Sequence, residues 1–148
     1  MRLAHQYLTP DKANIIAISA PQAFIPMAYQ AHVCAAKAGV EMLTRVLALE
    51  LGPEQIRVNA IVPGPIEGTE GMDRLASTPE ARERTRKSVP MQRYGTPREV
   101  ADCAMFLASP LAAYISGAII PVDGGWSAAG AGASAMMDLQ AEGPPSKG

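Results

Sequence analysis

The chain has 148 residues, of which 48% are hydrophobic and 18% charged, and its formal net charge is −1. This composition is typical of one globular domain and excludes a disordered protein. The nearly neutral charge, without a cluster of basic and aromatic residues, excludes a nucleic-acid-binding surface, and no apolar run approaches the roughly 20 residues that span a bilayer.

The first predicted elements are a strand, a long helix and a second strand. The apolar run over residues 14–19 predicts a strand buried on both faces, as in parallel sheets. Helical spacing predicts a helix from about Ala31 to Leu51, with Gly52 as its left-handed stop and Pro53 as a breaker. The apolar positions of this helix are Val40, Leu43, Leu47 and Leu51. The next strand covers residues 57–62, so the three elements form a right-handed parallel crossover.

The second half of the chain is predicted to contain two more helices and one strand. Residues 67–89 are mostly polar, with a helix at about 79–87. Thr96 and Glu99 form a capping box at the start of a helix that ends at Ser109. The last strand covers about 117–122. From Ala128 onward the composition predicts a flexible Ala/Gly/Pro-rich tail over residues 128–148.

These elements predict an α/β fold in which helices cover a parallel sheet. Three strands are fewer than a doubly wound sheet has, and no glycine-rich turn from a strand into a helix precedes residue 14. Gly124-Gly125 and the glycines at 130 and 132 follow the last strand and open no periodic helix, so we do not interpret them as a phosphate-binding loop. We therefore expect residues 1–127 to be the C-terminal part of a doubly wound, Rossmann-like sheet, lacking its first strands. The strand at 14–19 then has an unpaired edge, and the chain alone is expected to be poorly stable or inactive.

The two cysteines, Cys34 and Cys103, lack the spacing of zinc ligands or of a disulfide framework. The first residues also lack the apolar core of a signal peptide. We expect a soluble cytoplasmic protein with no metal site and no membrane partner.

Two features stand out as candidate functional residues. Lys37 lies near the start of the long helix, although a lone helical lysine is more often a surface residue with a buried stem. Pro63-Gly64-Pro65-Ile66 follows the C-terminal end of a strand, which is where ligands bind in open α/β sheets. The alternative for this segment is a proline-rich turn without a ligand. Asn59, within the strand at 57–62, is interpreted as structural.

Lys37 and this turn together resemble the C-terminal half of the short-chain dehydrogenase/reductase family. The resemblance is closest to the 2,4-dienoyl-CoA reductase branch, particularly its peroxisomal-type members. The matching residues are His32, Lys37-Ala38, Thr44-Arg45, Gly52-Pro53, Arg57-Val58-Asn59, Pro63-Gly64-Pro65-Ile66 and Gly68-Thr69-Glu70-Gly71. Most of the family has a tyrosine four residues before the lysine, where this chain has Val33; the dienoyl-CoA reductase branch also lacks that tyrosine.

The resemblance implies a cofactor, NADP(H) or NAD(H), and a role for each matching residue. Lys37 would be the catalytic lysine that binds the nicotinamide ribose. The turn Pro63, Gly64, Pro65 and Ile66 would present backbone groups to the nicotinamide carboxamide, and Thr69 would close over the cofactor. The position of the family's serine falls on Ala20, beside Ser19. No residue of this chain matches the acid of the branch, which lies upstream.

The implied function is NAD(P)H-dependent reduction of an enoyl thioester in fatty-acid oxidation, by a chain that represents only part of such an enzyme. One alternative is a reductase or dehydrogenase of another carbonyl or alcohol, with Tyr29 or His32 recruited as acid. A second alternative is a non-catalytic fragment that acts as an oligomerising subunit, so whether the chain is an enzyme stays open. The expected partners are a small-molecule substrate, acyl-CoA in the first case, and further copies of the chain bound through helix 31–51. A basic stretch would contact coenzyme A phosphates or form a solvated face: Arg82, Arg84, Arg86, Lys87 and Arg93.

Overall fold

The computed structural model describes residues 6–8 and 13–129. The predicted tail lies outside the described residues from residue 130 onward. The strands are β1 (Asn14–Ile18), β2 (Arg57–Pro63) and β3 (Ile119–Val122). The helices are α1 (Ala31–Leu51), α2 (Glu70–Leu75), α3 (Pro79–Ser88), α4 (Pro97–Ala108) and α5 (Trp126–Ala129).

The strands form one parallel sheet in the order β1-β2-β3, which confirms the α/β prediction. Ile18 of β1 lies opposite Ile61 of β2, and Ala60 lies opposite Ile119 of β3. Helix α1 packs mainly against β2, whereas α4 packs against all three strands. The core centres on Ile61, Leu107 and Ala112, which are fully buried. All three parallel strands therefore direct their C-terminal ends to one edge of the sheet.

The predicted burial of the first strand on both faces is wrong for the described residues. Ile18 is 50% exposed, and the other residues of β1 are only partly buried. Strand β2 differs, since its five central residues are all buried. The reason is position, because β2 has a paired strand on each side and β1 is an edge strand of the described sheet.

Helix α1 has the predicted bounds, but its ends and faces differ from the prediction in two ways. Gly52 is not a left-handed stop: its φ of −56° is right-handed, and it begins a 3-10 turn, Gly52–Glu54. The left-handed residue is Gln55, with φ 58°, whose N–H donates to the Gly52 carbonyl. The buried side chains of α1 are Glu41, Thr44 and Leu47, whereas Leu43 is half-exposed.

The elements after β2 agree with the prediction except at three points. The capping box at Thr96 and Glu99 is confirmed, and α3 begins after a Thr78 cap. Helix α2 was not predicted, although Thr69 caps it and acidic residues occupy its first turn. Helix α5 extends to Ala129 and so includes the first two residues of the predicted tail. Strand β3 begins at Ile119, since Gly117 has a positive φ of 77°.

Asn59 has the structural role that the sequence predicts. Its side chain is fully buried in β2. The Asn59 amide donates to the Ile115 carbonyl at 2.9 Å, and its oxygen accepts from the Ala118 N–H at 3.0 Å. The Asn59 side chain thereby provides hydrogen-bond partners for two backbone groups just before β3, which would otherwise have none.

Candidate active site

A cleft of about 600 Å³ opens at the C-terminal ends of β1 and β2. One wall is the segment that follows β1, from Ile18 to Gln22. The floor is the turn Pro63–Ile66, and the far wall comes from α2, α3 and Trp126. The cleft therefore lies at the sheet edge where the sequence predicts a ligand site.

The turn after β2 is fixed on both sides by backbone hydrogen bonds. The Gly64 N–H donates to the Val122 carbonyl at 3.0 Å, and the Pro65 carbonyl accepts from the Gly95 N–H at 2.9 Å. A Cβ on Gly64 would lie 2.6 Å from Cα of Asp123, so only glycine fits this approach of two backbones. The path of the turn is thus set by β3 on one side and by the loop before α4 on the other.

Ile66 carries a backbone N–H that has no acceptor among the described residues. Ile66 forms an isolated parallel bridge with Gly95. In this bridge the Gly95 N–H donates to the Pro65 carbonyl, and the Glu67 N–H donates to the Gly95 carbonyl. In that pattern the N–H and C=O of Ile66 itself point away from Gly95, and Ile66 lines the cleft. The carbonyl accepts from Thr69 Oγ1 at 2.9 Å, but the N–H of this 7% exposed residue stays available. A buried N–H without a partner is rare, which makes this group a candidate ligand contact.

Thr69 is held in the cleft by its role as the cap of α2. Its hydroxyl donates to the Ile66 carbonyl and accepts from the Met72 N–H at 3.4 Å. Thr69 also lines the cleft. The structure therefore brings together all of the predicted residues of the turn: Pro63, Gly64, Pro65, Ile66 and Thr69.

Lys37 does not itself line the cleft, but it is bonded to a residue that does. Its ammonium donates to the carbonyl of Ile18, the last residue of β1, at 3.1 Å. An ammonium has three N–H donors, so this contact leaves two for a ligand. One turn further along α1, the buried carboxylate of Glu41 accepts from Ser19 Oγ at 2.9 Å. These two contacts join the first half of α1 to the end of β1.

The two candidate acids, Tyr29 and His32, do not line the cleft. Tyr29 lies on the loop before α1 in a left-handed conformation, with φ 63°, and its side chain is fully exposed. Tyr29 therefore does not pack the loop onto the body of the protein. His32 is exposed at the start of α1. Ala20 lines the cleft with a methyl group, and the hydroxyl of Ser19 is engaged by Glu41.

Most of the basic stretch is paired with carboxylates. Arg82 contacts Asp73 at 2.9 Å, and Arg86 contacts Glu83 at 2.6 Å. Arg93 contacts Glu99 at 2.6 Å; this guanidinium, with hydrogen bonds from Thr96, lowers the pKa of the Glu99 carboxyl to about 2. Arg84 makes no ion pair within the described residues and interacts only at longer range with Glu80. The pairing favours a solvated face over a phosphate site for all of these cations except Arg84.

Three further findings on the described residues concern metal binding, membrane spanning and the thiols. No three of their His, Cys, Asp and Glu side chains come together as a metal-binding group. None of their helices is both long and apolar enough to span a membrane. Both cysteines are free and partly buried, and burial raises the pKa of the Cys103 thiol.

Several cleft residues were not identified from the sequence. Those of its far wall include Met72, Leu75, Thr85, Ser88 and Trp126. Trp126 directly follows the Asp123-Gly124-Gly125 turn, and it is the only tryptophan of the chain. Its position after a strand's C-terminal end is the signal that could have indicated a role in the site.

Comparison with known proteins identifies relatives of this chain in sequence and in structure. The family model described as enoyl-(acyl carrier protein) reductase matches residues 1–127. The peroxisomal 2,4-dienoyl-CoA reductase of Saccharomyces cerevisiae is 42% identical over 118 residues, which are 80% of this chain and 40% of that protein. A short chain dehydrogenase of Bacillus anthracis has a similar structure, with a TM-score of 0.69, 46% identity, and coverage of 78% of this chain and 44% of that one. The Pseudomonas aeruginosa RhlG/NADP complex gives a TM-score of 0.72 at 35% identity, with coverage of 84% and 49%. The chain thus spans less than half the length of these relatives.

Proposed function

This chain belongs to the short-chain dehydrogenase/reductase family, and we propose that it contributes the nicotinamide end of an NAD(P)H site to the reduction of an enoyl thioester. The observation that carries the proposal is the backbone N–H of Ile66, a residue that lines the cleft, because this N–H has no acceptor among the described residues. A carboxamide oxygen is a matching acceptor, and the Ile66 carbonyl beside it can receive the carboxamide N–H. A bound reduced nicotinamide would supply the hydride.

Lys37 is proposed as the ribose anchor of this site. Its bond to the carbonyl of Ile18, a residue that lines the cleft, holds the ammonium beside the cleft, and its remaining N–H groups can bind the two ribose hydroxyls. With Val33 one turn before it, Lys37 has no tyrosine at the family's usual position on which to act. Its proposed role is therefore binding and orientation rather than activation of a phenol.

The substrate class is proposed from the resemblance and from the yeast relative, whose name specifies 2,4-dienoyl-CoA. We assign no proton donor among the described residues, because Tyr29 and His32 lie outside the cleft lining. Reduction of another carbonyl or alcohol is the competing function, and it would require one of these side chains to move. We place the reaction in the cytoplasm, which is compatible with two free thiols; imaging of a tagged protein would distinguish this from a peroxisome.

Titration with NADPH tests the cofactor site. Lys37→Met removes the ammonium and is expected to weaken NADPH binding about tenfold, the loss of one to two charge-assisted hydrogen bonds. Lys87→Met is the control, since Lys87 lies on α3 beside Glu83. Thr69→Val and Thr78→Val form a second matched pair, because both threonines cap short helices and only Thr69 lines the cleft.

The proposed cofactor site would be contradicted if Lys37→Met weakened NADPH binding no more than Lys87→Met and Thr69→Val weakened it no more than Thr78→Val. Turnover is measured with 2,4-decadienoyl-CoA and with simple ketones, by the loss of NADPH absorbance. If only the ketones are reduced, the proposed cofactor site is kept and the proposed thioester substrate is rejected.

We also propose that α1 joins two copies of the chain. Its outward face is an apolar stripe at helical spacing: Ala35, Met42, Val46 and Leu49. Leu49 is 80% exposed, so the stripe is uncovered in the single chain. Val46→Glu is expected to give monomers in analytical ultracentrifugation, whereas Leu111→Glu, a second exposed leucine, is expected to leave the dimer intact. A monomeric wild-type chain would contradict this assembly.

A further inference from the structure

We propose that Trp126, held in place by Ser88, is the residue that selects substrate by acyl-chain length. The inference rests on the proposed thioester function and extends it to the far wall of the cleft. That wall consists of side chains from α2, α3 and the start of α5, so it lies entirely within the described residues. The contacts around Trp126 determine what this wall can bind.

The indole of Trp126 is held to α3 by a hydrogen bond. Its Nε1–H donates to Ser88 Oγ at 3.1 Å, between residues 38 positions apart in the sequence. Ser88 Oγ in turn donates to the Thr85 carbonyl at 2.7 Å. The only polar hydrogen of the indole is therefore used, and the ring presents carbon atoms to the cleft.

The backbone of Trp126 is fixed to the floor of the same cleft. Its N–H donates to the Asp123 carbonyl at 3.2 Å. The Asp123 carboxylate accepts from the Gly125 N–H at 2.9 Å and from the Ser127 N–H at 2.8 Å. Asp123 is also the residue against which Gly64 packs. One rigid turn therefore sets the distance between the indole and the proposed nicotinamide contact at Ile66.

The remaining surface of the wall suits a flexible apolar chain. Met72 and Leu75 supply apolar side chains from α2, and the methionine can adapt to the shape of a ligand. Thr85 lines the wall as well, but its hydroxyl donates to the Ala81 carbonyl at 3.0 Å. With its hydroxyl hydrogens engaged by the protein, this wall offers no side-chain donor to a hydroxylated substrate. An acyl chain needs none, and its binding increases with the apolar area that it buries.

Fluorescence of the single tryptophan tests the assignment directly. The probes are free coenzyme A, hexanoyl-CoA and decanoyl-CoA, added to the 148-residue chain without cofactor. We expect saturable quenching of Trp126, with decanoyl-CoA binding about tenfold more tightly than hexanoyl-CoA because it buries more methylene groups, and no quenching by coenzyme A alone.

Ser88→Ala is expected to shift the Trp126 emission to longer wavelength and to weaken decanoyl-CoA binding about fivefold, by freeing the indole. Ser88→Thr, which keeps the hydroxyl, is expected to restore both. Ser77→Ala is the matched control, because Ser77 lies between α2 and α3 and does not line the cleft. For Trp126→Ala, calorimetry replaces fluorescence, and the preference for the longer chain is expected to disappear. General unfolding would instead weaken the binding of all acyl-CoAs equally. Circular dichroism monitors whether the variants stay folded.

The outcomes separate the inference from the proposed function. One outcome is that calorimetry detects decanoyl-CoA binding, the fluorescence of Trp126 does not change, and the Ser88→Ala variant binds decanoyl-CoA as tightly as the wild type. This outcome would overturn the role of Trp126 but would be compatible with the thioester function. Absence of acyl-CoA binding by both methods would overturn the two together. Quenching that is equal for hexanoyl-CoA and decanoyl-CoA would also reject chain-length selection.

Discussion

Strands β1 and β2 are paired in register, and each carries an asparagine and at least one isoleucine, but they occupy different environments. Ile61 of β2 is fully buried, whereas its register partner Ile18 is half-exposed. The turn after β2 is bonded on both sides and supplies most of the proposed site. The segment after β1 is also bonded on two sides, since the Ser19 N–H donates to the Ile61 carbonyl at 2.8 Å and its hydroxyl donates to Glu41 of α1 at 2.9 Å. The comparison teaches that two paired strands can border one cleft although the described chain buries them to very different extents.

The largest expected effect comes from the isoleucine pair. Ile61→Ala should lower the free energy of unfolding by about 4 kcal/mol, because it opens a cavity in a close-packed core. Ile18→Ala should cost only about 1 kcal/mol, since half of this side chain is already in water. Urea denaturation of both variants measures the difference. If both variants lost the same free energy of unfolding, the Ile18 side chain of β1 would have to be buried in the protein in solution.

The asparagine pair should show the next largest difference. Asn59→Ala removes two buried hydrogen bonds and leaves the Ile115 carbonyl and the Ala118 N–H without partners, at a cost of about 3 kcal/mol. Asn14→Ala, in β1, should cost about 0.5 kcal/mol or less. The same denaturation experiment compares the two, and a cost for Asn59→Ala below that of Asn14→Ala would exclude the buried network.

The smallest effect is a pH dependence of the loop that supports the β2 turn. Arg93 and the Thr96 hydrogen bonds lower the pKa of Glu99 to about 2 from its ordinary value of 4.5. A lowered folded-state pKa stabilises the fold above the unfolded value, and this contribution is lost as the pH falls from about 4.5 to about 2. Glu99→Gln should therefore flatten the fall in thermal midpoint over this window. An unchanged slope would show that Glu99 does not contribute.

The sequence alone predicts the parts of this fold that depend on local patterns. The bounds of α1, the capping box before α4 and the turn at Pro63–Ile66 depend on residues close together in the chain. The family resemblance adds Lys37 and Thr69 to this turn. The stop of α1 was predicted wrongly at Gly52, because the 3-10 turn moves the left-handed residue to Gln55.

The rest depends on contacts between distant residues, which periodicity does not reveal. The bond from Trp126 to Ser88 joins helices that are far apart in sequence, and Ser19 meets Glu41 across the junction of β1 with α1. The free N–H of Ile66 arises from a bridge to Gly95 that no local pattern indicates. The difference between β1 and β2 follows from strand order, which the sequence predicts only coarsely.

Amide NMR of the labelled 148-residue chain, titrated with reduced nicotinamide mononucleotide and with NADPH, tests the central claim that the β2 turn binds the nicotinamide. We predict that both ligands shift the same amides, led by Ile66 and followed by Gly64 and Thr69. We also predict weak and similar affinities, because the chain has no glycine-rich phosphate loop opening a helix. Shifts confined to Gly124 and Gly125, or an unchanged Ile66 amide at saturation, would contradict the account.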